Sequence, residues 1–180
     1  MRIISGSQKG RKIKAPKKLP VRPTTDLAKE SLFNILNNYY YFDTISVIDL
    51  FSGTGNIAFE FASRGTKKIH AVDNNYHCIK FIDKTSTSFG FSINSYKNDV
   101  LKFLEKTPLT TDIIFADPPY DMDLEKFLEI ITIVFDRKLL NQDGLLIVEH
   151  SKHMDVSDNI FFRDSKKYGN SVFSFFEEKI

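Results

Sequence analysis

Asp49-Leu50-Phe51-Ser52-Gly53-Thr54-Gly55 decides how this chain is read, once it is set beside Asp117-Pro118-Pro119-Tyr120 further along. The first stretch follows an apolar run at 45–50 and opens into a helical pattern at 56–64. A strand, a glycine turn and a helix bring backbone N–H groups close to a ligand. The second stretch follows another apolar run, 112–116, so it sits at the carboxyl end of a later strand. In open α/β sheets ligands bind outside those ends, which places both stretches on one rim. One is expected to hold a cofactor and the other to present a planar amine to it.

Working outward, apolar runs at 45–51, 67–73, 93–98, 112–116 and 144–149 alternate with helical patterns at 56–64, 75–88, 100–106 and 124–139. Strands separated by helices imply βαβ units and a mainly parallel sheet. The tail differs. Phe-rich runs at 160–165 and 171–177 are joined through Lys166-Lys167-Tyr168-Gly169-Asn170 without a helix, which predicts an antiparallel hairpin closing one sheet edge. The expected fold is α/β, of the class I methyltransferase (Rossmann-like) type, with a seven-stranded mainly parallel sheet and an N-terminal β-hairpin extension. That hairpin is expected from Arg2-Ile3-Ile4 and Arg11-Lys12-Ile13-Lys14 flanking a turn with two glycines, with Pro16 and Pro20 forming a linker. The expected division is a basic hairpin and linker over 1–22 and a catalytic domain over 23–180. A helix after Thr24-Thr25-Asp26 carries Ala28, Leu32, Ile35, Leu36 and Tyr39 on one face.

On the cofactor side, Gly53-Thr54-Gly55-Asn56-Ile57-Ala58 fits a glycine fingerprint, and Asp73 ends the next strand, where a carboxylate can take both hydroxyls of a ribose. Asp49 precedes the glycines, where it can meet a cationic or amine-bearing ligand. Asp99 and Val100 follow the third strand, where one accepts from an adenine amine and the other packs on its ring. Three such carboxylates suit S-adenosyl-L-methionine better than a phosphate-bearing cofactor. An aspartate at a strand end also serves as a plain cap. Phe51, in the glycine loop, and Phe33, on the first helix, are candidates to border the site.

On the chemistry side, two prolines cannot continue a strand ladder and fix φ near −65°. The Asp117 carboxylate and the Pro118 carbonyl then form a pair of acceptors. An amine on a heteroaromatic ring is a poor nucleophile, because its lone pair is delocalised. Two acceptors gripping its hydrogens aim that lone pair at a methyl donor, and orientation of this kind supplies several kcal/mol. Tyr120 offers a face for an extruded base, with Pro119 completing the turn.

Composition sets the outer bounds. At 180 residues, 42% hydrophobic and 27% charged, the chain is one globular domain with no apolar run long enough to span a bilayer, and it reads as cytoplasmic and monomeric. The single cysteine, Cys78, excludes an internal disulfide, and four scattered histidines suggest no metal; His150 alone falls near the rim. Of the 25 basic residues, eight lie within 1–22 with no acidic residue among them. Arg2, Lys9, Arg11, Lys12, Lys14 and Arg22 are therefore the candidate contacts to a polyanion such as RNA.

The chain resembles the RsmD family of bacterial 16S rRNA guanine-N2 methyltransferases over nearly its whole length. The resemblance rests on Arg2-Ile3-Ile4-Ser5-Gly6, Lys9-Gly10-Arg11-Lys12-Ile13, Arg22-Pro23-Thr24-Thr25-Asp26, Glu30-Ser31-Leu32-Phe33-Asn34-Ile35-Leu36 and the two rim stretches. It implies S-adenosylmethionine-dependent methylation of one guanine in 16S rRNA, within the small ribosomal subunit or an assembly intermediate. Ser5 stands where a second glycine is usual, Lys9 where arginine is common, and Asp73 where glutamate is more frequent. A DNA adenine-N6 or cytosine-N4 methyltransferase is the alternative, because Asp-Pro-Pro-Tyr serves any exocyclic amine, and a non-catalytic rRNA-binding assembly factor is a third. The chain is short for a DNA recognition domain, since only 60 residues follow Tyr120.

Overall fold

The computed structural model describes residues 1–16 and 24–179. Its elements, in chain order, are α1 (Asp26–Leu36), β1 (Ser46–Leu50), α2 (Asn56–Ser63), β2 (Lys68–Asp73), α3 (Tyr76–Phe89), β3 (Ile93–Lys97), α4 (Val100–Lys106), β4 (Thr111–Ala116), α5 (Leu124–Asp136), β5 (Leu140–Ser151), β6 (Phe162–Tyr168) and β7 (Ser171–Phe176). Seven strands form one sheet in the order β3-β2-β1-β4-β5-β7-β6. The first five are parallel, and β7 runs antiparallel between β5 and β6. This is the expected α/β fold with its antiparallel closure.

Central strands are apolar on both sides because both sheet faces are covered. One face packs Val47, Ile113, Phe115 and Ile147 against α1, α2, α3 and the N-terminal hairpin. The other packs Ile48, Leu50, Ile114 and Val148 against α4 and α5. Register levels the carboxyl ends: Leu50 is opposite Val72 and Ala116, and Ala116 is opposite Val148. The rim is built by that alignment.

Four local expectations change. In α1 the buried face is Ala28, Lys29, Leu32, Phe33 and Leu36, while Ile35 is half-buried and Tyr39 lies past the helix end, 59% exposed. A buried lysine rotates the face away from where apolar spacing alone puts it. Phe33 does not border the site; it sits in the core against Phe42 and Phe61, with the Arg64 guanidinium 4.6 Å above its ring. The strand expected from 144 begins at Leu140, which pairs with Thr111 ahead of a register shift. The C-terminal hairpin turns through Gly169 and Asn170 alone, because Lys166, Lys167 and Tyr168 still pair with β7.

The N-terminal hairpin is docked along α2 rather than held out as an arm. Ile3 N donates to Arg11 O at 3.0 Å, Gly10 N to Ile3 O at 2.8 Å and Ile13 N to Met1 O at 3.0 Å. Ile3 and Ile13 are buried in the main core cluster. The Glu60 carboxylate of α2, fully buried, accepts from Ile4 N at 2.8 Å and Ser5 N at 3.0 Å. Lys29 Nζ donates to Arg2 O at 2.7 Å and stands 3.3 Å from Glu60. At the hairpin's turn, Ser7 N donates to Ser63 O at 2.7 Å. Gly6, at φ +84°, must be glycine: a Cβ would lie 1.8 Å from that same carbonyl. At its open end Met1 meets Thr54, whose hydroxyl lies 3.3 Å from the Met1 sulfur. Since α2 runs away from the rim, the turn bearing Lys9 points to the far end, and Lys14 emerges by the glycine loop.

Candidate active site

A cleft of ≈ 540 Å³ lies over the carboxyl ends of β1, β2, β3 and β4. Its walls bring together Asp49, Phe51, Gly53, Asp73, Asp99 and Val100 with Asp117, Pro118, Pro119 and Tyr120. Residues distant in sequence therefore meet in one cavity, as the strand alignment requires. Thr24 and Asn56 also line it, and the sequence pattern assigns neither a place in the site.

The glycine loop is made by three successive departures into left-handed backbone: Phe51 at φ 54°, Gly53 at φ 50° and Gly55 at φ 75°. Phe51 takes this conformation without being glycine, which costs strain that the surrounding loop must offset. Gly55 is not on the cleft wall; it starts α2, where a Cβ would come 2.9 Å from the Phe59 ring. Its contribution is the turn itself.

Each carboxylate supports backbone and faces the cleft at once. Asp73 accepts from Gly53 N at 2.8 Å through one oxygen and from Asn75 N at 2.8 Å through the other, pinning the glycine loop to the start of α3. Asp99 caps α4 by accepting from Lys102 N at 3.1 Å. Asp49 is buried, and among the described residues only Ala58 N donates to it, at 3.0 Å. Burial pushes its carboxyl up to about 8; the Ala58 bond opposes this and the Asp73 charge adds to it. With one backbone donor among the described residues, Asp49 has acceptor capacity left over at the cleft wall. Supporting the backbone and facing the cleft are compatible, because a carboxylate has more lone pairs than one backbone N–H uses.

At the end of β4, Asp117 N reaches toward Leu50 O at 3.4 Å, tying the second stretch to the first. Met122 N donates to Pro119 O at 2.9 Å and closes a turn. Tyr120 is 47% exposed, with its hydroxyl 3.1 Å from Ser171 Oγ, so its ring is fixed against the β6–β7 turn beside the cleft. His150 does not line this cleft. It is buried, shares a hydrogen bond with Ser174 Oγ at 2.8 Å, and meets Phe127 edge-on at 5.6 Å.

The basic candidates are divided by the fold. Arg2 pairs with Asp26 at 3.4 Å, and Arg11 lies 3.9 Å over Phe89. Lys9 is at the far turn; Lys12 and Lys14 are exposed on the strand that returns to the rim. Arg22 lies outside the described residues. A buried polar chain, unmarked in the sequence, runs behind the cleft wall. Glu60 and Lys29 lead to Asn56, whose Oδ1 accepts from Lys29 Nζ at 2.8 Å. Asn56 Nδ2 donates to Thr24 O at 3.0 Å, and Thr24 Oγ1 donates to the buried Glu149 at 2.8 Å. Among the described residues no cluster of three or more His, Cys, Asp and Glu side chains is placed to hold a metal, and no helix is long and apolar enough to cross a membrane.

Comparison with known proteins adds to this geometry. The family model described as Conserved hypothetical protein 95 matches residues 1–177. A Bacillus subtilis protein, YlbH, provisionally named an rRNA methyltransferase, is 33% identical over 165 residues, covering 89% of this chain and 88% of its own. The ribosomal RNA small subunit methyltransferase D of Haemophilus influenzae is 30% identical over 158 residues, covering 84% of this chain and 79% of its own. A solved Escherichia coli structure, provisionally described as a methyltransferase, superposes with a TM-score of 0.83 at 24% identity, over 98% of this chain and 96% of that one, and so shares the fold.

Proposed function

We propose a function for a chain that belongs to the RsmD family, described as Conserved hypothetical protein 95: it transfers a methyl group from S-adenosyl-L-methionine to the exocyclic N2 amine of a guanine in 16S rRNA of the small ribosomal subunit. The observation that carries this reading is the single cleft joining the three strand-end aspartates to Asp117-Pro118-Pro119-Tyr120.

The residues present fit the cofactor. Asp49 supplies a buried negative charge for its cationic portion, Asp73 acceptor capacity for ribose hydroxyls, and Asp99 with Val100 an acceptor and an apolar face for adenine. When bound, S-adenosylmethionine supplies an electrophilic methyl group on a sulfonium. The chain's own part is to present the nucleophile. The Asp117 carboxylate and the Pro118 carbonyl accept from the two amine hydrogens, which localises the nitrogen lone pair and aims it. Pro118 and Pro119 hold that pair of acceptors in place by fixing φ. Tyr120 stacks on the extruded base, worth roughly 1–3 kcal/mol. The relatives' names support ribosomal RNA as the acceptor, and the exposed Lys12 and Lys14, on the hairpin whose open end meets the glycine loop at Thr54, support a polyanion partner.

Asp117→Ala tests the assignment. The expected result is loss of methyl transfer with S-adenosylmethionine affinity within a few-fold of wild type. Near-normal turnover in this variant would refute the role of Asp117.

A further inference from the structure

Beyond the catalytic cleft, the rim carries a second recess of ≈ 310 Å³ at the ends of β5 and β6, whose lining includes Lys152, His153, Asp155, Ser165, Lys167 and Ser174. We infer that this recess receives a phosphodiester of the RNA strand flanking the target base. The inference rests on the function proposed above, since it takes the substrate to be RNA.

Position comes first. The sheet order places β7 and β6 beside β5, so the rim continues past the catalytic stretch. Ser171 pairs with Ser151 at the end of β5, and Lys167 is opposite Val172. The Tyr120 hydroxyl, 3.1 Å from Ser171 Oγ, joins the catalytic turn directly to this hairpin. Neighbouring strands are about 4.8 Å apart, so Lys167 on β6 lies about 10 Å from the β5 axis, at the same end of the sheet as the Ser171 that meets Tyr120.

Chemistry comes second. Two ammonium groups, an imidazole and the Ser165 hydroxyl are a donor set a phosphodiester takes, and phosphate contacts fix a strand's register without reading its sequence. Burial lowers the His150 pKa and favours the neutral ring, whose Nδ1 donates to Ser151 O at 2.9 Å while Nε2 accepts from Ser174 Oγ at 2.8 Å, so this pair is satisfied internally and adds neither charge nor a donor. Asp155 opposes an anion, but its Oδ1 is turned onto its own loop, accepting from Ser157 N at 3.0 Å and Ser157 Oγ at 2.8 Å. Lys166, the next residue along β6, is paired with Asp164 at 2.7 Å. Lys152 and Lys167 are exposed and have no ion pair among the described residues. They are the two ammonium groups this recess offers, against one carboxylate, Asp155.

The test is the double variant Lys152→Gln/Lys167→Gln in the full chain, assayed on unmethylated small ribosomal subunits. A single-stranded RNA serves in parallel as a binding probe across a salt series. The expected result is a KM for subunits raised roughly tenfold near 0.15 M salt, with kcat at saturation, S-adenosylmethionine affinity and Tm all close to wild type. RNA binding should lose salt dependence, its log–log slope shallower by roughly 0.7 for each lysine. An unchanged KM and slope in the variant of an active wild type would overturn the recess while leaving the activity standing. A wild type that methylates no RNA, yet binds it with a slope these lysines set, would overturn the activity and leave the recess.

Discussion

Glu60→Ala probes how the N-terminal hairpin is held, and the structure allows its cost to be worked out. The Glu60 side chain has no solvent exposure and accepts from Ile4 N at 2.8 Å, Ser5 N at 3.0 Å and Arg64 Nε at 2.8 Å, with Lys29 Nζ 3.3 Å away. Removing it strands the Lys29 ammonium, which among the described residues keeps Arg2 O and Asn56 Oδ1 as acceptors. Burial already lowers the Lys29 pKa, and Glu60 is the charge that opposes that trend. Breaking a buried pair by deleting one partner costs about 3–5 kcal/mol. Two hairpin N–H groups also lose their acceptor, at about 1–3 kcal/mol each if they stay dry, though water entering the vacated space recovers part of that. A loss of about 5 kcal/mol is therefore expected, a large share of the roughly 5–15 kcal/mol that holds a domain folded. At about 2–4 °C per kcal/mol, Tm should fall by about 10–20 °C. Glu60→Gln, which keeps one acceptor, should fall between the two, and serves if the alanine variant does not fold. Urea titration gives the energy, and hydrogen exchange at the Ile4 and Ser5 amides locates it. A loss under about 1 kcal/mol, or unchanged protection of those two amides, would refute the argument that the hairpin is fastened through Glu60.

Two further outcomes follow from the site. Asp49 has a folded pKa of about 8 against an ordinary 3.8, so the native state keeps a proton that the unfolded chain releases. Its contribution to stability is complete below about pH 4 and falls as pH rises through 8. A cationic ligand reverses the preference and expels that proton, so S-adenosylmethionine should bind more tightly as pH rises from 6 to 8. Calorimetry in buffers of different ionisation enthalpy measures the released proton, and pH-independent binding would contradict the role given to Asp49. On the hairpin, Lys14→Gln should weaken RNA binding more than Lys9→Gln, because Lys14 emerges beside the glycine loop and Lys9 at the far turn. Equal effects in a filter-binding titration would mean that RNA tracks the whole hairpin.

Much of this arrangement was legible because each signal was local. A left-handed loop advertises itself through Gly53 and Gly55, a strand end through Asp117-Pro118-Pro119, and a parallel strand through an unbroken apolar run such as 112–116. What stayed hidden depends on partners remote in sequence. Lys29 and Glu60 look like solvated charges on their helices, and only the packing of the hairpin between α1 and α2 shows that both are buried. Apolar spacing alone passes over Lys29 and so includes Ile35 and Tyr39 in the face of α1. Lys166 and Lys167 suggested a loop because an edge strand has no partner on one side and tolerates polar residues along its length. Thr24 and Asn56 fall within motif stretches but at positions with no assigned role; they are held at the cleft wall by hydrogen bonds to each other and to Lys29 and Glu149.

The most direct test of the central claim supplies labelled S-adenosylmethionine with unmodified small ribosomal subunits, naked 16S rRNA and duplex DNA, and identifies the methylated product by mass. The account predicts N2-methylguanosine in small-subunit rRNA and no label in DNA. Label recovered as N6-methyladenine or N4-methylcytosine in DNA would contradict it, leaving the fold and the cleft in place but assigning Asp117-Pro118-Pro119-Tyr120 to a different amine.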